Sequence, residues 1–302
     1  LLTLGESTAL DVAGGQALRA VTTIGQTVFA GGDGSAVGRL RSTLFRCKTG
    51  PTGAVVGKCQ TMAIVRSASQ CGSQVPFFVR GLYAPTAQTL FIGGMSLTAD
   101  GNSVARVAIW DGNTDSACDA LPVHSGRAYY AATKATPVPP LRLDRLGSQR
   151  EEAIAAVTGL SATDVWAAGD GGTIAHFDGS WRVLDPGEFA PTELWSTSYN
   201  IHGLVVTATE VFAVGDGVGI QAGGCRHGFY LHARREGGAT VFDALHALPL
   251  VSDCSAPPLD QFGIRGVAVD GLSGDLLLVG WSGDGPNVTG PVRPLVMRLR
   301  HP

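Results

Sequence analysis

Charge is scarce in this chain: Asp, Glu, Lys and Arg together make up 16% of its 302 residues, and they nearly cancel, leaving a net charge of −3. No field of one sign is available to draw in nucleic acid or an anionic membrane surface. Lysine is confined to Lys48, Lys58 and Lys134, so almost every cation is an arginine. That bias, beside abundant alanine and glycine, points to a bacterial genome rich in G and C. Long apolar runs are missing as well; no stretch of eighteen apolar residues exists to span a bilayer as a helix. Helical periodicity is nowhere sustained, and only Pro137–Pro140 and Gln149–Ala156 leave room for one short helix.

Catalytic signatures are absent too. There is no G-x-S-x-G, no H-E-x-x-H and no P-loop, and Gly215-Asp216-Gly217-Val218-Gly219-Ile220 lacks the closing glycine of a dinucleotide fingerprint. The histidines, His124, His176, His202, His227, His232, His246 and His301, are scattered. Only His227 and His232 lie close, and five residues of strand place them on opposite faces. These two are read as surface or packing residues. The six cysteines, Cys47, Cys59, Cys71, Cys118, Cys225 and Cys254, contain no C-x-x-C pair. Zinc and thiol-redox sites need closer spacing, so disulfides are expected, and with them a secreted, periplasmic or cell-surface location.

What the chain has in excess is glycine, 42 residues without the collagen period. Much of it belongs to a repeat. Five segments share the order apolar, variable, small, apolar: Leu18-Arg19-Ala20-Val21, Val79-Arg80-Gly81-Leu82, Ile154-Ala155-Ala156-Val157, Ile201-His202-Gly203-Leu204 and Ile264-Arg265-Gly266-Val267. About ten residues after each comes a second apolar run that ends in glycine: Thr27–Gly32, Leu90–Gly94, Val165–Gly169, Val211–Gly215 and Leu277–Gly280. Short β-branched or aromatic runs bounded by Gly and Asp read as strands. Third strands are expected at Val104–Trp110, Thr173–Phe177, Phe229–Ala233 and Pro294–Leu299. Fourth strands are expected at Ala63–Ser67, Trp181–Leu184 and Thr240–Leu245.

Four antiparallel strands per unit make the blade of a propeller. The chain therefore reads as one all-β domain over 1–302, a five-bladed β-propeller with blades starting near 18, 79, 154, 201 and 264. The last unit is one strand short, and residues 1–17, with Leu1–Val12 as the strand, are expected to supply it and remove two open edges. A six-bladed alternative would place a further blade within residues 111–150, around Tyr129-Tyr130-Ala131-Ala132.

The stretch Ser161-Ala162-Thr163-Asp164-Val165-Trp166-Ala167-Ala168-Gly169-Asp170-Gly171-Gly172, continuing through His176-Phe177-Asp178-Gly179-Ser180-Trp181, resembles the propeller repeat of secreted bacterial proteins of myxobacterial type. The pairs Gly31-Gly32 and Gly93-Gly94 resemble kelch/BNR-like repeats, although the third to fifth units lack the second glycine. The resemblance implies the fold and no settled activity, because propellers host enzymes and binders alike.

Chemistry concentrates at the variable position, occupied by Arg19, Arg80, Ala155, His202 and Arg265. First strands line the channel of a propeller, so these residues are expected in a ring near one mouth. The aspartates that follow the second strands, Asp33, Asp170, Asp216 and Asp284, are expected there too. One reading is a basic mouth that binds a carboxylate, sulfate or phosphate. The other is that each base bonds the aspartate of a neighbouring turn and stitches blades together. Trp195, in the loop-like stretch 191–200, is the aromatic best placed to stack on a sugar. Glu151, Glu152, Glu188, Glu193 and Glu210 are expected in loops. No cofactor is expected. Asp111, Asn113 and Asp115 space oxygens like the first half of a calcium loop, but Ser116 and Pro122 stand where glycine and glutamate belong, so a turn is expected.

Disulfides are expected at Cys47–Cys59, across a hairpin of the first blade, at Cys71–Cys118 and at Cys225–Cys254. The functional expectation is a non-catalytic extracellular recognition or assembly module that binds a protein or glycan partner through one propeller face. A polysaccharide hydrolase or lyase with its site at the channel mouth is the alternative, and a structural subunit of a surface appendage is a third.

Overall fold

A computed structural model describes residues 17–36, 39–62, 77–97, 103–110, 123–124, 153–184, 199–218, 226–237, 239–243, 246–248, 260–284 and 293–300. Each of the five recurrent segments is the first strand of an antiparallel sheet, and each glycine-terminated run is the second. The fold is the expected all-β, five-bladed propeller. The chain divides into two compact units that part within one strand, between Val157 and Thr158.

In the first unit, one sheet runs β1 (Ala17–Ile24), β2 (Thr27–Ala36), β3 (Arg39–Thr49) and β4 (Val55–Met62). The next runs β5 (Phe77–Thr86), β6 (Thr89–Leu97), β7 (Ser103–Trp110) and β8 (Val123–His124). The strand expected at Ala63–Ser67 lies outside the described residues, and the fourth described strand of the first sheet is β4. A tight turn brings it back early: Gly53 donates to the Gly50 carbonyl, and Gly50 to that of Ala54. Cys47 and Cys59 are joined across this hairpin, as expected. Phe29, Leu44, Phe77, Val79, Leu90, Ile92 and Trp110 form the shared core of the two sheets. Arg46 lies over the Trp110 ring at 4.9 Å.

In the second unit, β9 (Ile154–Ser161), which carries the boundary, leads into β10 (Asp164–Gly169), β11 (Ile174–Phe177) and β12 (Trp181–Leu184). The space left for a helix at Gln149–Ala156 is thus strand from Ile154 onward. The fourth sheet runs β13 (Asn200–Val206), β14 (Glu210–Val218), β15 (Arg226–Glu236) and β16 (Ala239–Phe242), with β17 (His246–Ala247) also on β15. Glu210 therefore begins a strand and is not in a loop. The fifth has β18 (Asp260–Val269), β19 (Leu276–Asp284) and β20 (Arg293–Leu299) among the described residues. The closing strand expected over Leu1–Val12 lies outside them, as does Pro137–Pro140. Of residues 111–150, the place of the alternative sixth blade, only Val123 and His124 are described, and they pair with β7 as the fourth strand of the second sheet.

The variable position of the repeat has a structural cause. In four sheets the pairing of first and second strand slips by one residue, between Leu18 and Ala20, Val79 and Gly81, Ile201 and Gly203, and Ile264 and Gly266. Arg19, Arg80, His202 and Arg265 are the extra residues of these β-bulges, which re-aim the side chain they carry. The bulge also explains the glycines. A Cβ on Gly94, Gly215 or Gly280 would run into the carbonyl oxygen of Phe78, Asn200 or Gly263, on the strand just before the bulge. The small position after the bulge is set by neighbours: a Cβ on Gly203 would lie 3.1 Å from the Gly266 Cα and 3.2 Å from the Val267 nitrogen. In the first unit, a Cβ on Gly81 would lie 3.0 Å from the Val157 nitrogen. Adjacent first strands thus approach backbone to backbone.

Substituting Gly215→Ala should lower unfolding stability by about 1–3 kcal/mol, as overpacking does. Gly271→Ala, in a turn with nothing near its Cβ, should stay within about 0.5 kcal/mol of the parent. Denaturant titration of both variants checks the pair; equal midpoints would contradict the bulge account.

Candidate functional site

In the second unit the bulges place His202, on β13, and Arg265, on β18, against Asp216 at the far end of β14. Asp216 is fully buried. Its Oδ2 lies 3.2 Å from His202 Nε2 and 3.4 Å from Arg265 Nη2. Arg265 Nη1 also meets His202 Nε2 directly. Asp216 and His202 belong to the fourth sheet and Arg265 to the fifth, so the cluster ties neighbouring blades. A buried carboxylate requires such partners, since an unpaired charge loses its hydration with nothing in return. The absence of a side chain at Gly263 makes room: a Cβ there would lie 2.6 Å from Asp216 Oδ2 and 2.7 Å from Trp281 Nε1.

Arg265 is 46% exposed, although anchored on a carboxylate with no exposure at all. It can therefore present guanidinium donors to solvent while its position is held from beneath. Arg19 and Arg80 occupy the same repeat position in the first unit, on β1 and β5, the first exposed and the second half-buried. Asp170 follows β10 in a 3-10 turn, Asp170–Gly172, and the Gly171 amide of that turn donates to Asn200 Oδ1 at 3.3 Å. The side chains of Asp33 and Asp284 are not among those described. Trp195, the calcium-loop candidates Asp111, Asn113 and Asp115, and the cysteines proposed for Cys71–Cys118 and Cys225–Cys254 lie outside the described residues. Among the described residues no group of three or more His, Cys, Asp and Glu is arranged to hold a metal ion.

A second cluster, which sequence reading missed, gathers at the starts of β10 and β14, the end of β14 away from Asp216. Asp164, at the start of β10, accepts from His176 Nε2 at 2.9 Å and from Trp166 Nε1 at 3.3 Å, and the His176 and Trp166 rings stack at 4.3 Å. Arg235, on β15 of the next sheet, donates through Nη2 to Asp164 and through Nη1 to the Thr207 carbonyl at 3.3 Å. The fourth sheet repeats the arrangement. His232 stacks on Phe212 at 4.6 Å, with Nε2 3.0 Å from Glu210 and Nδ1 2.7 Å from Asp243. Trp166 pairs with His176, and Phe212 with His232, directly across the ladders.

The signal was present in sequence. Ser161-Ala162-Thr163-Asp164-Val165-Trp166-Ala167-Ala168-Gly169-Asp170-Gly171 and Thr207-Ala208-Thr209-Glu210-Val211-Phe212-Ala213-Val214-Gly215-Asp216-Gly217 match position for position in type. Their histidines follow the acid by 12 and by 22 residues, and that difference in loop length concealed the correspondence. In both turns the leading hydroxyl accepts from the backbone: Ser161 Oγ from Thr163 at 3.1 Å, Thr207 Oγ1 from Glu210 at 3.0 Å. Both nitrogens of His232 are engaged by carboxylates, so this group locks the sheet rather than opening onto a ligand.

Burial alone would raise the Asp164 carboxyl, but the hydrogen bonds from His176 and Arg235, with their charges, hold it below the ordinary Asp value of 3.8. A depressed carboxyl stabilises the fold fully above its unfolded value, and that stabilisation is lost as pH falls through the lower folded value. Asp164→Asn should therefore cost about 1–3 kcal/mol at pH 7, and below about pH 4 it should lose stability less steeply than the parent. Urea titrations from pH 7 down to acid check both slopes.

No family model matches the chain, and no curated protein does. Solved structures do. YCF48 bound to D1 peptide is 11% identical at a TM-score of 0.42, covering 92% of this chain and 68% of that one. An α-L-arabinanase of Cellvibrio cellulosa complexed with arabinohexaose is 9% identical at 0.42, covering 94% and 92%. A Trypanosoma rangeli sialidase mutant displaying trans-sialidase activity is 10% identical at 0.45, covering 94% and 48%. At these identities and TM-scores the chemistry of the site is left to the residues that compose it.

Proposed function

We propose that the chain is a non-catalytic extracellular recognition or assembly module, holding a protein or glycan partner through the blade ends where the bulged residues emerge. The observation that carries this reading is Arg265: a half-exposed guanidinium whose position is set by a fully buried carboxylate. A planar fork of donors that reaches solvent suits a carboxylate, sulfate or phosphate on a partner. Arg19 and Arg80 extend the same residue type to two further blades. The second cluster supports the non-catalytic side of the reading, since its histidines and acids are spent on one another. Cys47–Cys59 suits an oxidising compartment, and no helix among the described residues is long and apolar enough to cross a membrane.

Arg265→Ala and Arg80→Ala, each compared with the parent on a glycan array and in capture of acidic proteins, test the proposal. Loss of binding per folded molecule by at least about tenfold, equivalent to about 1.4 kcal/mol, is expected for a ligand-contacting arginine, and Arg265→Ala should also lower the unfolding midpoint because buried Asp216 loses a partner. Loss of the fold with no effect on binding per folded molecule would assign both residues to stitching alone. Release of reducing ends from any polysaccharide by the parent would overturn the non-catalytic reading.

A further inference from the structure

The contacts around His202 contain a conflict that only a proton can resolve. Nε2 faces two partners, Asp216 Oδ2 at 3.2 Å and Arg265 Nη1. A guanidinium N–H donates and never accepts, whereas a ring nitrogen either carries a proton and donates or lacks one and accepts. Neutral His202 with its proton on Nδ1 satisfies Arg265: Nε2 accepts from Nη1, while Nη2 neutralises Asp216 at 3.4 Å. Protonated His202 cannot accept. Its Nε2–H then serves Asp216, and two cations compete for one carboxylate.

The competition has a predetermined loser. His202 is 14% exposed and Asp216 not at all, while Arg265 is 46% exposed. Water solvates the displaced guanidinium far better than it could solvate the buried imidazolium, so Arg265 gives way. Asp216 remains neutralised in both states, as its burial demands. On the strands around the cluster, β14 contributes Asp216, β15 sets the side-chain-free Gly228 opposite it and carries His227 and Arg226 next in the ladder, β18 contributes Arg265 and begins at Asp260, and β19 brings the uncharged indole of Trp281 near the Asp216 carboxylate and ends at Asp284.

We infer that His202, Asp216 and Arg265 form a proton-linked carboxylate site, in which protonation of His202 transfers Asp216 from Arg265 to the imidazolium and frees the guanidinium to take a ligand carboxylate. This deepens the proposed recognition role and rests on it. Binding takes up a proton, so affinity rises as pH falls. One linked proton limits the gain to about tenfold per pH unit.

The test uses two probes that carry the same carboxylates on different backbones, triglutamate and trigalacturonate, titrated calorimetrically into the full chain from pH 8 to pH 5. Each titration is run in two buffers of different ionisation enthalpy. Binding of either probe should tighten by about tenfold or more over that span, with net proton uptake. His202→Gln should retain binding and lose the pH dependence. Nitrogen-detected NMR of the imidazole at pH 8 supplies a readout independent of ligand: the proton is expected on Nδ1, with Nε2 bare. Parent binding that is equally tight at pH 8 and pH 5, or an Nε2–H tautomer at pH 8, would overturn the proton linkage while leaving carboxylate recognition intact. Failure of both probes to bind at any pH would remove carboxylate recognition itself, and the linkage with it.

Discussion

One extra residue in the first strand of a sheet governs much of what is distinctive here. The bulge pushes the preceding carbonyl across the partner strand, and the residue facing it must be glycine because no Cβ fits beneath that oxygen. Phe78 over Gly94, Asn200 over Gly215 and Gly263 over Gly280 are three instances of one constraint. The same slip turns a side chain out of the regular alternation, so a polar or charged residue can sit in the middle of an otherwise apolar strand. The motif of apolar, variable, small and apolar residues is the sequence image of this geometry.

The two ends of the fourth sheet use polar chemistry differently. At one end Asp216 is wholly buried and its neutralising partners come from two sheets, one of them an arginine that still reaches solvent. At the other end Glu210, His232 and Asp243 satisfy each other within one sheet, while Asp164 and Arg235 make the link to the next. A closed network contributes rigidity and little else. An arrangement with one exposed donor can exchange that donor for an outside partner, and this asymmetry is why the proposed recognition site lies with Asp216.

Strand identity was legible from the repeat alone. Gly and Asp punctuate the runs, and β-branched and aromatic residues fill them, so the first and second strands of all five sheets stand where the pattern puts them. The strand over Val55–Met62, which follows the Gly50–Ala54 turn, was not read from sequence because it alternates too weakly to stand out. The pairing Cys47–Cys59 could be read from its short separation across a hairpin. The acid–aromatic–histidine ladder escaped because its third member comes from another strand, after a connection of variable length.

The sequence by itself determined the elements, since turn chemistry and residue shape act over a few neighbours. It also marked Arg19, Arg80, His202 and Arg265 as a set, because they recur at one position of a repeat. Which partners these residues meet was decided only by tertiary structure. Asp216 lies 14 residues from His202 and joins an arginine 63 residues from that histidine, and nothing local encodes such an encounter. Burial of the carboxylate, the exposure of one cation and the contest for a single imidazole nitrogen all arise when two sheets are laid side by side.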